Sequence, residues 1–296
     1  MNDRQKGIAC IIASAFGFAL MAFFVRLCDD FGESVSCFQK SLFRNLIALF
    51  IAAVVFAKGH LRRRAADEKR PSVARLPLKA WLLLLGRSAS GIFGIFGNFY
   101  ALSIIPIGEA MTLNKTAPFF AVLFSWLFLK ERAGFRHFLF LMLAFTGAML
   151  VMKPGFRPTN LETFATVCAL AGGLGAGIAY TCVRELGLLK VEGSFIVLFF
   201  SAFSTLASLP FMLHGVDPMT PAQILIMLGA GCGAAVGQFG VTAAYRFAPP
   251  RDVAVFDYTN VIFTALFGFL SFAQVPDVWS VLGFALIVLA GLKSRK

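Results

Sequence analysis

The chain has 296 residues, of which 58% are hydrophobic and 14% charged, and its formal net charge is +12. A soluble domain averages roughly 45–50% apolar and about 25% charged residues. This composition therefore excludes a disordered chain, a disulfide scaffold and an ordinary soluble enzyme, and points to an all-α membrane protein. Ten apolar runs follow one another, at 6–27, 35–57, 79–102, 106–129, 135–152, 161–183, 193–213, 222–246, 251–272 and 277–293. Each approaches the ~20 apolar residues that a bilayer-spanning helix needs. The first run follows Arg4 and Lys6, as a signal peptide's hydrophobic region would. Its length and the nine runs after it make it a retained helix. Turn-forming residues separate the runs: Asp29-Asp30, Pro106, Arg132 to Gly134, Pro154-Gly155, Asp217-Pro218, Pro249-Pro250 and Pro276-Asp277.

The basic residues alternate along the chain. The N-terminus, the 58–79, 130–137, 184–192 and 246–251 loops and the C-terminal tail hold 20 Lys and Arg between them, eight of these in the 58–79 loop. The intervening loops hold 2, and the 28–34 loop carries Asp29, Asp30 and Glu33 instead. Lys and Arg gather on the cytoplasmic side of membrane proteins, so both termini are expected in the cytoplasm, and the inner membrane of a bacterium is the expected location. This arrangement also removes the nucleic-acid reading of a pI near 9.8. The six cysteines lie in or beside apolar runs with no CxxC or Cys/His cluster, so they read as small hydrophobes. A Cys28–Cys37 disulfide has no specific support, and no metal or cofactor site is expected.

The chain also repeats itself. Leu85-Gly86 aligns with Leu228-Gly229, Gly94 and Gly97 with Gly237 and Gly240, Pro106 with Pro249, Glu109 with Asp252, and Thr116 with Thr259. Phe120, Leu123, Phe124 and Leu127 continue the same register onto Phe263, Leu266, Phe267 and Leu270. Earlier, Ala13, Gly17, Val25 and Arg26 align with Ala171, Gly175, Val183 and Arg184, and the change of register matches the longer basic loop at 58–79. The halves are 1–155 and 156–296, with five helices each. An odd number of helices reverses the second half in the membrane. Inverted repeats of this kind recur in secondary transporters, with the substrate site near the midplane between repeats.

The run Phe99-Tyr100-Ala101-Leu102, Ile105-Pro106, Glu109-Ala110, Pro118 and Leu129-Lys130-Glu131-Arg132, followed by Gly147, resembles the first EamA-type repeat of the drug/metabolite transporter superfamily. Ala248-Pro249, Asp252-Val253, Gly268 and Gly283 resemble the second, which departs from the family pattern in having Gln274 where Glu is usual. The resemblance implies ten helices in two inverted five-helix repeats, a central cavity and alternating access. It is poorly specific to substrate, because members move amino acids, purines, vitamins, S-adenosylmethionine, choline or nucleotide sugars.

Five basic residues lie outside the charged loops: Arg26, Lys40, Arg44, Arg87 and Lys115. Arg26 and Lys40 are close enough to span ends to snorkel. At 1.5 Å rise per residue, Arg44 and Lys115 lie roughly 14 Å from the outer boundary, and a charge at that depth costs on the order of 2.5–3.5 kcal/mol by insertion scales. Arg87 is shallower and reads as reaching toward the inner headgroups. The acidic counterpart is Asp257, which aligns with Asn114 as Tyr258 does with Lys115. Asp257 and Asn260 share a helix face with Thr264. Two readings stay open. Lys115 receives an anionic substrate group while Asp257 receives an amine or a proton, or Asp257 pairs with Lys115 or Arg44 only to orient helices. Asn98, Gln238, Tyr100 and Tyr180 are weaker candidates for the translocation path, each equally explained by an interhelical contact. Pro118 is a candidate kink or gate. No Ser/His dyad, paired carboxylate or metal cluster suggests an enzyme.

The expected function is a secondary active transporter of a small polar or zwitterionic, amino-acid-like metabolite, working in the efflux direction. The alternative is an exchanger or uptake carrier for a nucleotide-derived or cationic metabolite such as S-adenosylmethionine. The expected partners are the small-molecule substrate, the lipid bilayer and protons. A monomer suffices, and a dimer is compatible with the same architecture.

Overall fold

The computed structural model describes residues 1–33, 35–65, 76–102, 104–105, 107–152, 160–212, 215–272 and 275–294. The described residues form α1 (Asp3–Leu27), α2 (Cys37–Ala65), α3 (Leu78–Leu102), α4 (Ile107–Asn114), α5 (Ala117–Leu129), α6 (Phe135–Met152), α7 (Asn160–Leu188), α8 (Gly193–Ser208), α9 (Pro221–Phe247), α10 (Pro250–Val253), α11 (Thr259–Phe272) and α12 (Val278–Ser294). Eight helical segments are long and apolar enough to cross a membrane, and Ala117–Leu129 and Val278–Ser294 are shorter apolar helices. Gln274, Ser103, Pro106 and residues 66–75 of the 58–79 loop lie outside the described residues, as do the side chains of Phe99, Leu102 and Glu109.

The ends of the helices follow local chemistry. Asn2 accepts from the Gln5 backbone at 2.8 Å while the Gln5 side chain accepts from the Asn2 backbone at 3.1 Å. Thr220 and Gln223 make the same reciprocal cap before α9. Such boxes satisfy two of the orphan donors at a helix start. The Gln223 side chain also donates to the carbonyls of Cys28 and Glu33, fastening α9 to the turn after α1. Cys28 is a free thiol, so no bridge to Cys37 forms.

Neither the fourth nor the ninth span is a continuous α-helix; the break in the fourth beside Pro118 was expected and the one in the ninth was not. α4 stops at Asn114, Lys115-Thr116 form a turn, and α5 begins at Ala117. In the ninth, α10 stops at Val253, a tight 3-10 segment covers Ala254–Tyr258, and α11 starts at Thr259. Pro118 stands in the first turn of α5, where its missing N–H costs nothing. The same local bond closes both breaks. Thr116 Oγ donates to the Leu113 carbonyl at 2.6 Å, and Thr259 Oγ donates to the Phe256 carbonyl at 2.7 Å.

Helices of one half pack on helices of the other: α1 on α9, α3 on α7, α6 on α12 and α2 on α8. Glycine brings the backbones together. A Cβ on Gly17 would sit 2.6 Å from the Gly237 nitrogen, one on Gly94 2.9 Å from the Gly172 carbonyl, and one on Gly283 2.5 Å from the Gly147 carbonyl. Lipid offers no hydrophobic drive between helices, so association relies on such close van der Waals packing. The glycines of 172–177 are part of it: Gly173 faces Thr116, Gly175 faces Ser90 and Gly177 faces Phe120.

The basic loops meet at one end of the bundle. Arg4 donates to the Ser294 carbonyl, Lys6 lies over the Phe247 ring, Lys79 pairs with Glu185, and Arg251 donates to the Arg132 carbonyl. The opposite end holds Lys40 paired with Asp29, and Asp217 accepting from the Ser36 backbone at 2.7 Å. Gly17→Val and Gly283→Val should each destabilise the bundle by about 1–3 kcal/mol, because the contacted atoms are backbone and cannot give way. Thermal unfolding of purified protein in detergent measures this, with a lowered midpoint as the expected result.

Candidate functional site

The two helix breaks meet. The Tyr258 hydroxyl donates to the Lys115 carbonyl at 2.8 Å. That carbonyl is left without its helical partner, because the Phe119 N–H bonds to Thr116 instead. Lys115 Nζ reaches Asp257 Oδ2 at 3.4 Å. Both side chains are largely buried, at 12% and 11% exposure. One break thus supplies a cation and a carbonyl, and the other supplies a carboxylate and a hydroxyl. Tyr258 is fully buried, so its hydroxyl needs this partner.

An aromatic and cationic group is shared among α3, α7 and α9. Tyr180 of α7 stacks on Tyr245 of α9, with centroids 4.9 Å apart. Arg87 of α3 reaches α9 as well. Its Nη2 donates to Gln238 Oε1 at 2.8 Å, and its guanidinium lies 3.4 Å from the centroid of the Phe200 ring. The Tyr245 hydroxyl and Arg87 Nε are buried without a hydrogen-bond partner. Arg87 is 4% exposed. It does not reach toward headgroups, because the Gln238 amide and the Phe200 face hold its head inside the bundle.

The remaining candidates fall in different places. Asn260 donates to the Ala15 carbonyl at 2.9 Å, tying α11 to α1. Thr264 donates back to the Asn260 carbonyl. Asn114 and Asn98 lie beside Gly172, and Asn98 Oδ1 is buried without a partner. Arg44 is buried but stands away from Asp257. Its Nη1 faces Met21 Sδ at 3.3 Å and its Nη2 faces Asn45 Oδ1 at 3.4 Å. Tyr100 is turned outward, 38% exposed and edge-on to Phe164, so it is not part of the group around Asp257.

Sequence reasoning missed a second buried ion pair. Arg184 of α7 contacts Glu131 through Nε at 2.8 Å and Nη2 at 2.7 Å, and Ser125 donates to the other Glu131 oxygen. Arg184 also reaches the Tyr245 and Arg246 carbonyls at 3.5 and 3.4 Å. This knot joins the ends of α5, α7 and α9. The available signal was Glu131 itself, the one acidic residue in the basic 130–137 loop. Phe200 was also missed, being a single aromatic among many. Among the described residues no group of three or more His, Cys, Asp or Glu could hold a metal.

Residues 5–153 match the model of the EamA-like transporter family. The chain belongs to that family. This EamA-like transporter is also 33% identical over 287 residues to the pseudopaline exporter CntI of Pseudomonas aeruginosa, covering 97% of this chain and 94% of the relative. It is 28% identical over 211 residues to a riboflavin transporter of Vibrio cholerae, covering 71% and 69%. A crystal structure with 19% sequence identity superposes with a TM-score of 0.77 over 96% of this chain and 99% of its own, a likeness of fold. With its long apolar helices, this member of the family is an integral membrane protein.

In this EamA-like transporter the Lys115–Asp257 pair joins two helix ends that lack continuous backbone bonding. Breaking a buried pair by removing one partner costs about 3–5 kcal/mol, whereas removing both costs far less. Lys115→Met and Asp257→Asn should each lower the unfolding midpoint markedly, and the double variant should recover most of the loss. A thermodynamic cycle on purified protein measures the coupling, and additive effects would show that the pair is not formed.

Proposed function

We propose that this protein is a secondary transporter that exports a small polar metabolite of amino-acid type by alternating access, with Lys115 and Asp257 at the centre of its path. The observation that carries the reading is the meeting of a Lys and an Asp at interrupted helices in sequence-equivalent positions. Interrupted helices are the usual substrate and ion sites of transporters, since irregular backbone at membrane depth is tolerated only where it is enclosed by protein or lines a cavity. The relationship to a pseudopaline exporter supports the metabolite class and the direction.

Two inverted halves, 1–155 and 156–296, account for the pairing of α1 with α9 and of α3 with α7. Under the same symmetry operation each pair exchanges with the other. Rocking of the halves about the glycine contacts would expose the central pair to either side in turn. The Glu131–Arg184 knot closes the end that carries the basic loops, and that end is the cytoplasmic one by its charge. Asp257 in this reading exchanges Lys115 for a substrate amine or a proton.

Purified protein in liposomes tests the function. Saturable counterflow is expected for pseudopaline or for an amino acid, and is not expected for choline or nucleobases. Lys115→Ala should abolish it when compared at equal amounts of folded, reconstituted protein. With proton coupling, flux responds to an imposed pH gradient and Asp257→Asn loses that response; an unchanged response overturns the coupling. A protease site inserted in the 58–79 loop should be cleaved in inverted vesicles and protected in intact cells. The reverse pattern overturns the orientation.

A further inference from the structure

Arg87 is a buried charge that the central ion pair does not use. It enters α3 nine residues after Leu78, about 14 Å along the helix axis, and is 4% exposed. Among the described residues no carboxylate lies within ion-pair distance of it. Its contacts are the neutral Gln238 amide and the Phe200 ring face, which position a guanidinium without cancelling its charge. Nε remains buried and without a partner, as does the Tyr245 hydroxyl on the helix that holds Gln238. A buried cation with orphaned donors is costly until a counter-ion arrives, and guanidinium is the side chain best suited to bind a carboxylate.

Counting charge narrows the ligand. The buried interior holds two such cations, Arg87, tied through Gln238 to α9, and Lys115, and one carboxylate, Asp257, paired with Lys115; Tyr245 of the same α9 stacks on Tyr180 of α7. A zwitterion placing its carboxylate on Arg87 and its ammonium on Asp257 would leave Lys115 unpaired. One further carboxylate on the ligand restores the balance. We propose that Arg87 is the anion-binding position of the translocation path, and that the ligand is a small amphoteric acid with one more carboxylate than ammonium groups. This rests on the transport reading, but it is an equilibrium binding property and is tested without flux.

The test is thermal unfolding of the protein in detergent at fixed ionic strength, with L-glutamate as the probe, L-glutamine as the zwitterion that lacks the extra carboxylate, and succinate and succinamide as the acid and the uncharged amide without an ammonium group. At concentrations near ten times its dissociation constant, L-glutamate should raise the midpoint by about 2–4 °C; at the same concentration succinate and L-glutamine should each raise it less, and succinamide should leave it unchanged. Arg87→Gln should abolish the acid effect, and Arg87→Lys should keep part of it. Gln238→Glu supplies a built-in carboxylate beside Arg87. It should raise the ligand-free midpoint and remove the response to acids, and it carries the test where Arg87→Gln does not fold. Acids no better than amides on the unmodified protein overturn the proposal. So does a folded Arg87→Gln or Gln238→Glu variant that responds to acids as the unmodified protein does. An Arg87-dependent acid response in a protein with no measurable flux would sustain this site and count against transport alone.

Discussion

The hydrogen bond from the Tyr258 hydroxyl to the Lys115 carbonyl is the contact on which the middle of this molecule depends. Inside an apolar bundle every backbone polar group must find a partner within the protein. Interrupting α4 and α5 at Lys115 frees a carbonyl, and only a donor from another element can satisfy it. Tyr258 can do so because its own span is interrupted at the equivalent position, where the 3-10 segment Ala254–Tyr258 replaces a helical turn. Each irregularity is therefore tolerated because of the other. The Lys115–Asp257 pair follows from the same meeting of the two breaks.

Glycine packing holds that meeting in place. α1 and α9 approach until the Gly17 and Gly237 backbones touch, and α3 and α7 do the same at Gly94 and Gly172. The side chains that remain between these helices are consequently few and closely placed. Ser14 donates to the Gly237 carbonyl at 2.7 Å, and Asn260 to the Ala15 carbonyl at 2.9 Å. Contacts of this kind are cheap to exchange, since each polar interhelical bond in a membrane contributes on average about 0.6 kcal/mol. A bundle held by smooth faces and modest bonds suits relative movement of its halves. The Glu131–Arg184 knot is stronger and lies at one end of the helices, where a closure would act.

The charge distribution divides into two populations with different physics. Residues in the basic loops sit at the bundle end, where water and headgroups screen them. Lys115, Asp257, Arg87 and Arg44 are buried, and each has an arrangement that offsets its desolvation: an ion pair, an amide with an aromatic face, or a thioether with an amide. These differ in completeness. The ion pair is neutral as a unit, while the two arginines keep their charge among neutral groups. A protein that carries an acid across a membrane gains by holding such a cation in reserve.

Much of the architecture was legible in the sequence. Run lengths and turn residues marked the spans, and an internal alignment set Asn114 and Lys115 level with Asp257 and Tyr258. Pro118 marked one helix start. The interruption of the ninth span was not legible, because Ala254 to Tyr258 contains no glycine or proline to announce it. Partners were less legible still. Asp257 had two cationic candidates, and Arg87 looked like a residue reaching for headgroups. The reason is physical: a helix that is apolar all round has no polar face to reveal its rotation, so the sequence states which residues share a face but not which way that face turns. Sequence alone determined what could cross the bilayer and where charge would be costly. The close approach of glycine backbones in the folded bundle set the rotation of each helix. That setting brought Lys115 rather than Arg44 to Asp257, turned Tyr100 outward, and sealed Arg87 inside against Gln238 and Phe200.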